Sequence, residues 1–207
     1  RTLHLGRTYE GNAVRLRSPS SLDPMLRRLL VALAVTVSVA GAQQPIDAAY
    51  TAKIKELTPT DPNWKFTTEL VDHLPASKTV PTPLAVLGYV PGTIGRLGNT
   101  TEIYRYFRTV AEKSPRVKVF SMGTTELGRE MIVAAIADEA TIRRLDDYKK
   151  MTNRIADPRG ISAGERAQLL KDAKPIYYIS ASIHSPETGS PDMTMELLYR
   201  LAVDESD

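Results

Sequence analysis

The chain contains no cysteine and only three histidines in 207 residues. The missing cysteine rules out disulfides and leaves stability to packing, with or without a bound metal. The scarcity of histidine reduces the search for imidazole chemistry to His4, His73 and His184. A long apolar run is also absent. The longest, Leu29–Val39, has roughly a dozen residues, whereas a membrane-spanning helix needs roughly twenty. An evenly spread basic excess is lacking too, although the sequence pI is near 9.1. Residues 1–42 hold six arginines against two acids, Glu10 and Asp23, while residues 43–207 hold 21 basic and 22 acidic residues. The basic balance therefore belongs to the N-terminal segment, and the argument for a nucleic-acid partner falls with it.

That segment has an order of its own. Arg27 and Arg28 precede the apolar run, and Ala40-Gly-Ala42 follows it with the small residues that signal peptidase requires. Residues 25–42 thus read as a signal peptide cleaved after Ala42, with no cysteine behind it to carry a lipid anchor. The expectation is an exported protein, periplasmic or extracellular, with no membrane attachment after cleavage. Export signals act at an N-terminus, so Met25 reads as the start and residues 1–24 as a non-native extension.

Residues 43–98 are dense in proline and glycine, which forbids long regular elements and reads as an extended lead-in. His73 lies in it, in a loop where a structural role is the ordinary expectation. Periodicity becomes clear after that. Asn99 and Glu102 form a capping-box pattern, and Ile103, Phe107, Val110 and Ala111 fall on one face, predicting a helix over 100–114. Val117–Met122 and Met131–Ala137 read as strands joined by a Gly-bounded link. Helices are predicted over 140–155 and 162–172, and a buried strand over Ile176–Ile183. A closing helix is expected with Ser190 as cap, Pro191 in its first position, and Met193, Leu197 and Leu201 as its buried stripe. Alternating strands and helices predict an α/β fold with helices on both faces of a sheet.

The phrase "ISASIHSPETGSPD" places His184 and Glu187 three residues apart in the turn after the predicted strand. An imidazole and a carboxylate at that spacing can aim at one point, and zinc takes such donors. Open α/β sheets also bind ligands at the carboxyl ends of their strands. Spacing alone leaves two readings open: a pair of metal ligands, or a turn in which His184 caps the next helix and Glu187 is solvated.

From Leu97 onward, about half of the chain resembles the zinc carboxypeptidase family. The phrase "TEIYRYFRTVAEKSPRVKVF" resembles the family's opening helix and first strand. "SMGTTELGREMIVAAIA" resembles its hairpin, with Gly123, Thr125, Gly128, Arg129 and Met131 on the motif, and "YYISASIHSPETGS" resembles the segment whose His-x-x-Glu supplies two zinc ligands. The resemblance implies a mixed-sheet catalytic domain over residues 99–207, with Zn2+ bound by His184 and Glu187 and a peptide or protein as substrate. Two departures go with it. Pro186 stands where many members have a substrate-holding arginine, and Arg129 is assigned to the hairpin and not to that task. No histidine follows His184, so the third ligand and the general-base glutamate are expected beyond residue 207. The chain is thus read as the N-terminal part of a metallocarboxypeptidase, inactive by itself. A zinc deacylase or amidase of the same broader group, or an exported binding protein that keeps the fold without the site, are the alternatives. Nothing in the sequence sets the oligomeric state.

Overall fold

A computed structural model describes residues 44–59 and 73–205. His4, the predicted signal peptide and its cleavage site lie outside the described residues.

Helix α1 (Ala48–Leu57) begins where the Asp47 carboxylate accepts the Tyr50 N–H, one of the donors a helix start leaves open. Ahead of it, Ile46 bridges Pro75 in antiparallel fashion, with Asp47 N–H donating to the Leu74 carbonyl and Ala76 N–H to that of Pro45. Proline lacks a donor, and in this short ladder neither Pro45 nor Pro75 has to supply one. The lead-in continues through α2 (Pro83–Leu87), capped by Thr82, and stops at Gly88, whose φ of 82° is the left-handed conformation glycine adopts without penalty.

Helix α3 (Thr100–Lys113) carries the predicted capping box in full. Asn99 accepts the Glu102 N–H and Glu102 accepts the Asn99 N–H. It buries Ile103, Tyr106 and Val110, with Phe107 and Ala111 partly covered. Strands β1 (Val117–Thr124) and β2 (Glu130–Ile136) pair antiparallel from Val117↔Ile136 to Thr124↔Glu130. The register shifts between Ser121 and Gly123, a bulge in which Gly123 takes φ 104°. Across the link, Thr125 N–H donates to the Arg129 carbonyl while the Thr125 hydroxyl accepts the Arg129 N–H. Gly128, at φ 69°, makes the turn possible. The glycines, threonine and arginine of this motif therefore shape a hairpin.

The predicted helix over 140–155 is two helices, α4 (Glu139–Arg143) and α5 (Leu145–Ala156), parted at Arg144, whose φ of −113° leaves the helical region. Helix α6 (Ala163–Asp172) is capped by Ser162, whose hydroxyl accepts the Glu165 N–H. Lys174 then bonds back to Asp138 at 2.8 Å and to the Thr141 hydroxyl at 2.7 Å, fastening the chain to the start of α4. Helix α7 (Gly189–Val203) closes the described fold.

The architecture is α/β, a small open sheet with helices on both sides. Its core gathers α1, the lead-in, α3, α7 and β1 around three tyrosines, Tyr50, Tyr106 and Tyr199. Their rings supply much of the buried area, and two hydroxyls bind the lead-in, Tyr106 to the Pro81 carbonyl at 3.1 Å and Tyr199 to that of Pro75 at 2.9 Å. Burial raises all three phenols, Tyr199 to about 12.

Three expectations are corrected. Ile176–Ile183 is neither a strand nor buried: its backbone is irregular and Tyr177 and Ile183 are 89% and 86% exposed. A β-branched, aromatic composition fits a segment for pairing but supplies no partner, and among the described residues β1 and β2 pair only with each other. Helix α7 starts one residue before Ser190, with Thr188 at its cap position, so Pro191 is its third residue and not its first. Its buried face is Asp192, Met195, Leu198, Tyr199, Ala202 and Val203, while Met193 and Leu201 are nearly half exposed. The helix is apolar on two sides, and periodicity alone picked the outer one.

Candidate metal centre

The turn from Ile183 to Thr188 is built by local hydrogen bonds. Ser182 adopts φ 70°, a left-handed conformation that costs a non-glycine residue about 1 kcal/mol. Its hydroxyl donates to the His184 carbonyl at 2.7 Å. Glu187 N–H closes on the same carbonyl at 3.0 Å, and Thr188 N–H donates to that of Pro186. The chain reverses within four residues, and this reversal brings the two candidate ligands together.

His184 Nδ1 lies 2.8 Å from Glu187 Oε1. The other carboxylate oxygen, Oε2, accepts the backbone N–H of Ile183 at 2.8 Å and of His184 at 3.1 Å. These contacts hold Glu187 below its usual pKa, the His184 side chain contributing most and the two amides next. The carboxylate is therefore anionic near neutral pH, and its two oxygens have separate tasks. Oε2 is fixed by the backbone while Oε1 faces the imidazole. Both side chains reach the surface, 72% and 48% exposed.

The donor set suits zinc as far as it goes. A nitrogen and an oxygen donor converge, the carboxylate is charged, and backbone amides orient it from behind. Two donors on one zinc stand roughly 3.3 Å apart, from bonds of about 2 Å, so the pair would need only a small opening to take an ion. Two donors do not complete a site. Among the described residues no group of three or more His, Asp or Glu side chains could hold a metal.

The other residues singled out in the sequence are elsewhere. His73 sits in the lead-in ahead of the bridge at Pro75. Arg129 closes the β1–β2 link through its backbone, and Pro186 lies inside the turn, its carbonyl accepting Thr188 N–H. Sequence reasoning missed Ser182 and the Ile183 amide, which aim the pair. A left-handed serine leaves no signature in composition, and a backbone donor leaves none at all.

The zinc carboxypeptidase family model matches residues 103–207, just over half of the chain. The chain belongs to the zinc carboxypeptidase family. Searches of curated proteins and of solved structures returned no match. The matched region begins inside α3 and takes in the hairpin, α4 to α6, the His184–Glu187 turn and α7. Membership makes this a chain of the hydrolase class, from a family named for zinc. The lead-in, with the two proline carbonyls that the core tyrosines hold, precedes the match.

Proposed function

We propose that His184 and Glu187 are two zinc ligands of an exported metallocarboxypeptidase that hydrolyses peptide bonds at the C-termini of peptides or proteins. The observation that carries this reading is the convergence of Nδ1 and Oε1 at 2.8 Å inside the region matched by the family. Zinc held there would lower the pKa of a bound water and polarise a scissile carbonyl. This chain's own part is to present one neutral and one anionic donor and to keep the carboxylate from rotating. The Ile183 and His184 amides do the second by occupying Oε2.

The remaining ligand and the general base are assigned to protein beyond residue 207. Two observations support this: the donor set among the described residues stops at two, and large apolar side chains from Ile176 to Ile183 and on the outer face of α7 lie open. Such surface is normally covered. We accordingly propose that residues 99–207 are the first part of a larger catalytic domain whose further strands cover Ile176–Ile183. No helix among the described residues is long and apolar enough to cross a membrane.

A second reading, a zinc deacylase or amidase acting on N-acyl amino acids or cell-wall peptides, is favoured by one feature. Pro186 offers no charge to hold a substrate carboxylate. The test is hydrolysis by the full-length, zinc-loaded protein. Release of C-terminal residues from peptides with a free carboxylate, lost on amidating that carboxylate, supports the carboxypeptidase. Turnover confined to N-acyl substrates supports the deacylase.

A further inference from the structure

The ligand turn is held at its ends. From Ile176 to Glu187 the hydrogen bonds among the described residues are all local, reaching no further than Thr188, and most of the side chains are exposed. The segment hangs between two fastenings. The far one is Lys174 on Asp138 and Thr141. The near one is Asp192, five residues after Glu187, whose Oδ1 accepts the Gly98 N–H at 3.0 Å, joining positions 94 residues apart.

The near fastening has the marks of a fitted contact. Asp192 is only 5% exposed. A buried carboxylate is expensive unless something holds it, and here burial raises its pKa, the Gly98 bond opposes that, and Glu102 adds repulsion. Gly98 is the residue just before the cap of α3. A Cβ there would stand 2.4 Å from Asp192 Oδ1, closer than atoms can approach. Only glycine lets the carboxylate reach its donor. Among the described residues the stretch between the turn and Asp192 is loosely held: Thr188 makes no side-chain cap bond, and a Cβ on Gly189 would meet nothing within 4 Å.

We propose that Asp192, seated on Gly98, is the positioning residue for the His184–Glu187 turn, fixing the start of α7 and with it the place where the two donors meet. The proposal rests on the zinc reading of that turn. It also gives the lead-in a share in the site, since Gly98 lies before the region that matches the family.

The experiment compares Asp192→Ala, Asp192→Asn and Gly98→Ala in the full-length protein, with His184→Ala as ligand control and Tyr199→Phe as a purely destabilised control. Zinc dissociation constants are measured by chelator competition well below each variant's melting temperature, and the visible spectrum of the cobalt-substituted protein is recorded. Losing a hydrogen-bond partner of a metal ligand costs about 10–100-fold in affinity, and Asp192, which bonds Gly98 and acts on the turn through the backbone, belongs at the low end, about tenfold. Asp192→Ala and Gly98→Ala are expected to weaken zinc by that amount and to alter the cobalt bands. Asp192→Asn, which keeps an acceptor for Gly98, should stay within about threefold, and Tyr199→Phe should match the wild type despite its lower melting temperature. Folded Asp192→Ala and Gly98→Ala proteins with wild-type affinity and spectrum would overturn the positioning role alone. Should Asp192→Ala fail to fold, Gly98→Ala decides, and failure of both to fold also overturns it, because the contact would then serve the whole fold. Full affinity in His184→Ala would instead remove the zinc reading, and this proposal with it.

Discussion

Replacing Tyr199 by Phe tests how the lead-in is held to the rest of the fold. The ring keeps its place in the core and only the hydroxyl is lost. That hydroxyl donates to the Pro75 carbonyl at 2.9 Å in a buried setting, and no other donor among the described residues is bonded to that carbonyl. A typical hydrogen bond contributes about 1 kcal/mol net, and leaving a buried acceptor unpaired costs about 1–3 kcal/mol. A loss near 2 kcal/mol is expected. For a unit of this size each kcal/mol lowers the melting temperature by about 2–4 °C, so the fall should be about 4–8 °C. Tyr50→Phe is the matched comparison. Tyr50 is as buried, but its hydroxyl meets Glu196 only at 3.5 Å, and that carboxylate already has Arg200. Its loss should cost under about 0.5 kcal/mol. Urea unfolding followed by circular dichroism measures both, and limited proteolysis between residues 73 and 98 reports on the lead-in directly. Equal losses in the two variants, or a Tyr199→Phe protein as stable as its parent, would refute the reasoning.

Leu198→Ala, at a fully buried position of α7, should cost about 2–5 kcal/mol, whereas Leu201→Ala on the outer face should cost far less in the same urea series. Gly128→Ala forces an L-residue into φ 69° and should cost about 1 kcal/mol or more, read from the thermal midpoint. The Asp138–Lys174 pair should show in the pH dependence. Lys174, then Thr141, holds Asp138 well below the ordinary carboxylate range, and Asp138 pushes Lys174 up. A lowered acid pKa stabilises the fold above the unfolded value near 3.9, and that stability is lost as pH falls through the folded value. A raised lysine pKa stabilises it below about 10.4, and that stability is lost as pH rises. The difference in stability between the parent and Asp138→Asn should therefore be constant from about pH 5 to pH 9 and shrink toward pH 2. A difference that persists unchanged in acid would contradict this.

Much of the local structure was legible because it is written in neighbouring residues. The box of Asn99 and Glu102 and the glycines at 123 and 128 specify a cap, a bulge and a turn through short-range geometry. The His184–Glu187 pairing was readable for the same reason, since three residues and a turn suffice to bring the side chains together. What failed depends on partners. Ile176–Ile183 has strand composition but no strand beside it among the described residues, and α7 has two apolar sides, of which only packing selects one. The central tyrosines were passed over because a phenol reads as amphipathic until a carbonyl such as that of Pro75 is found for its hydroxyl. The Asp192–Gly98 contact joins residues 94 positions apart, and no local pattern marks it.

Whether His184 and Glu187 bind zinc is decided by the metal content per folded chain. The full-length protein, His184→Ala and Glu187→Gln are purified side by side, confirmed folded by circular dichroism, and analysed for zinc. Glu187→Gln keeps size and polarity while removing the anionic donor. About one zinc per chain is expected in the parent and little or none in either variant, with the fold retained. Full zinc occupancy in both variants would contradict the zinc reading and make the turn an ordinary one.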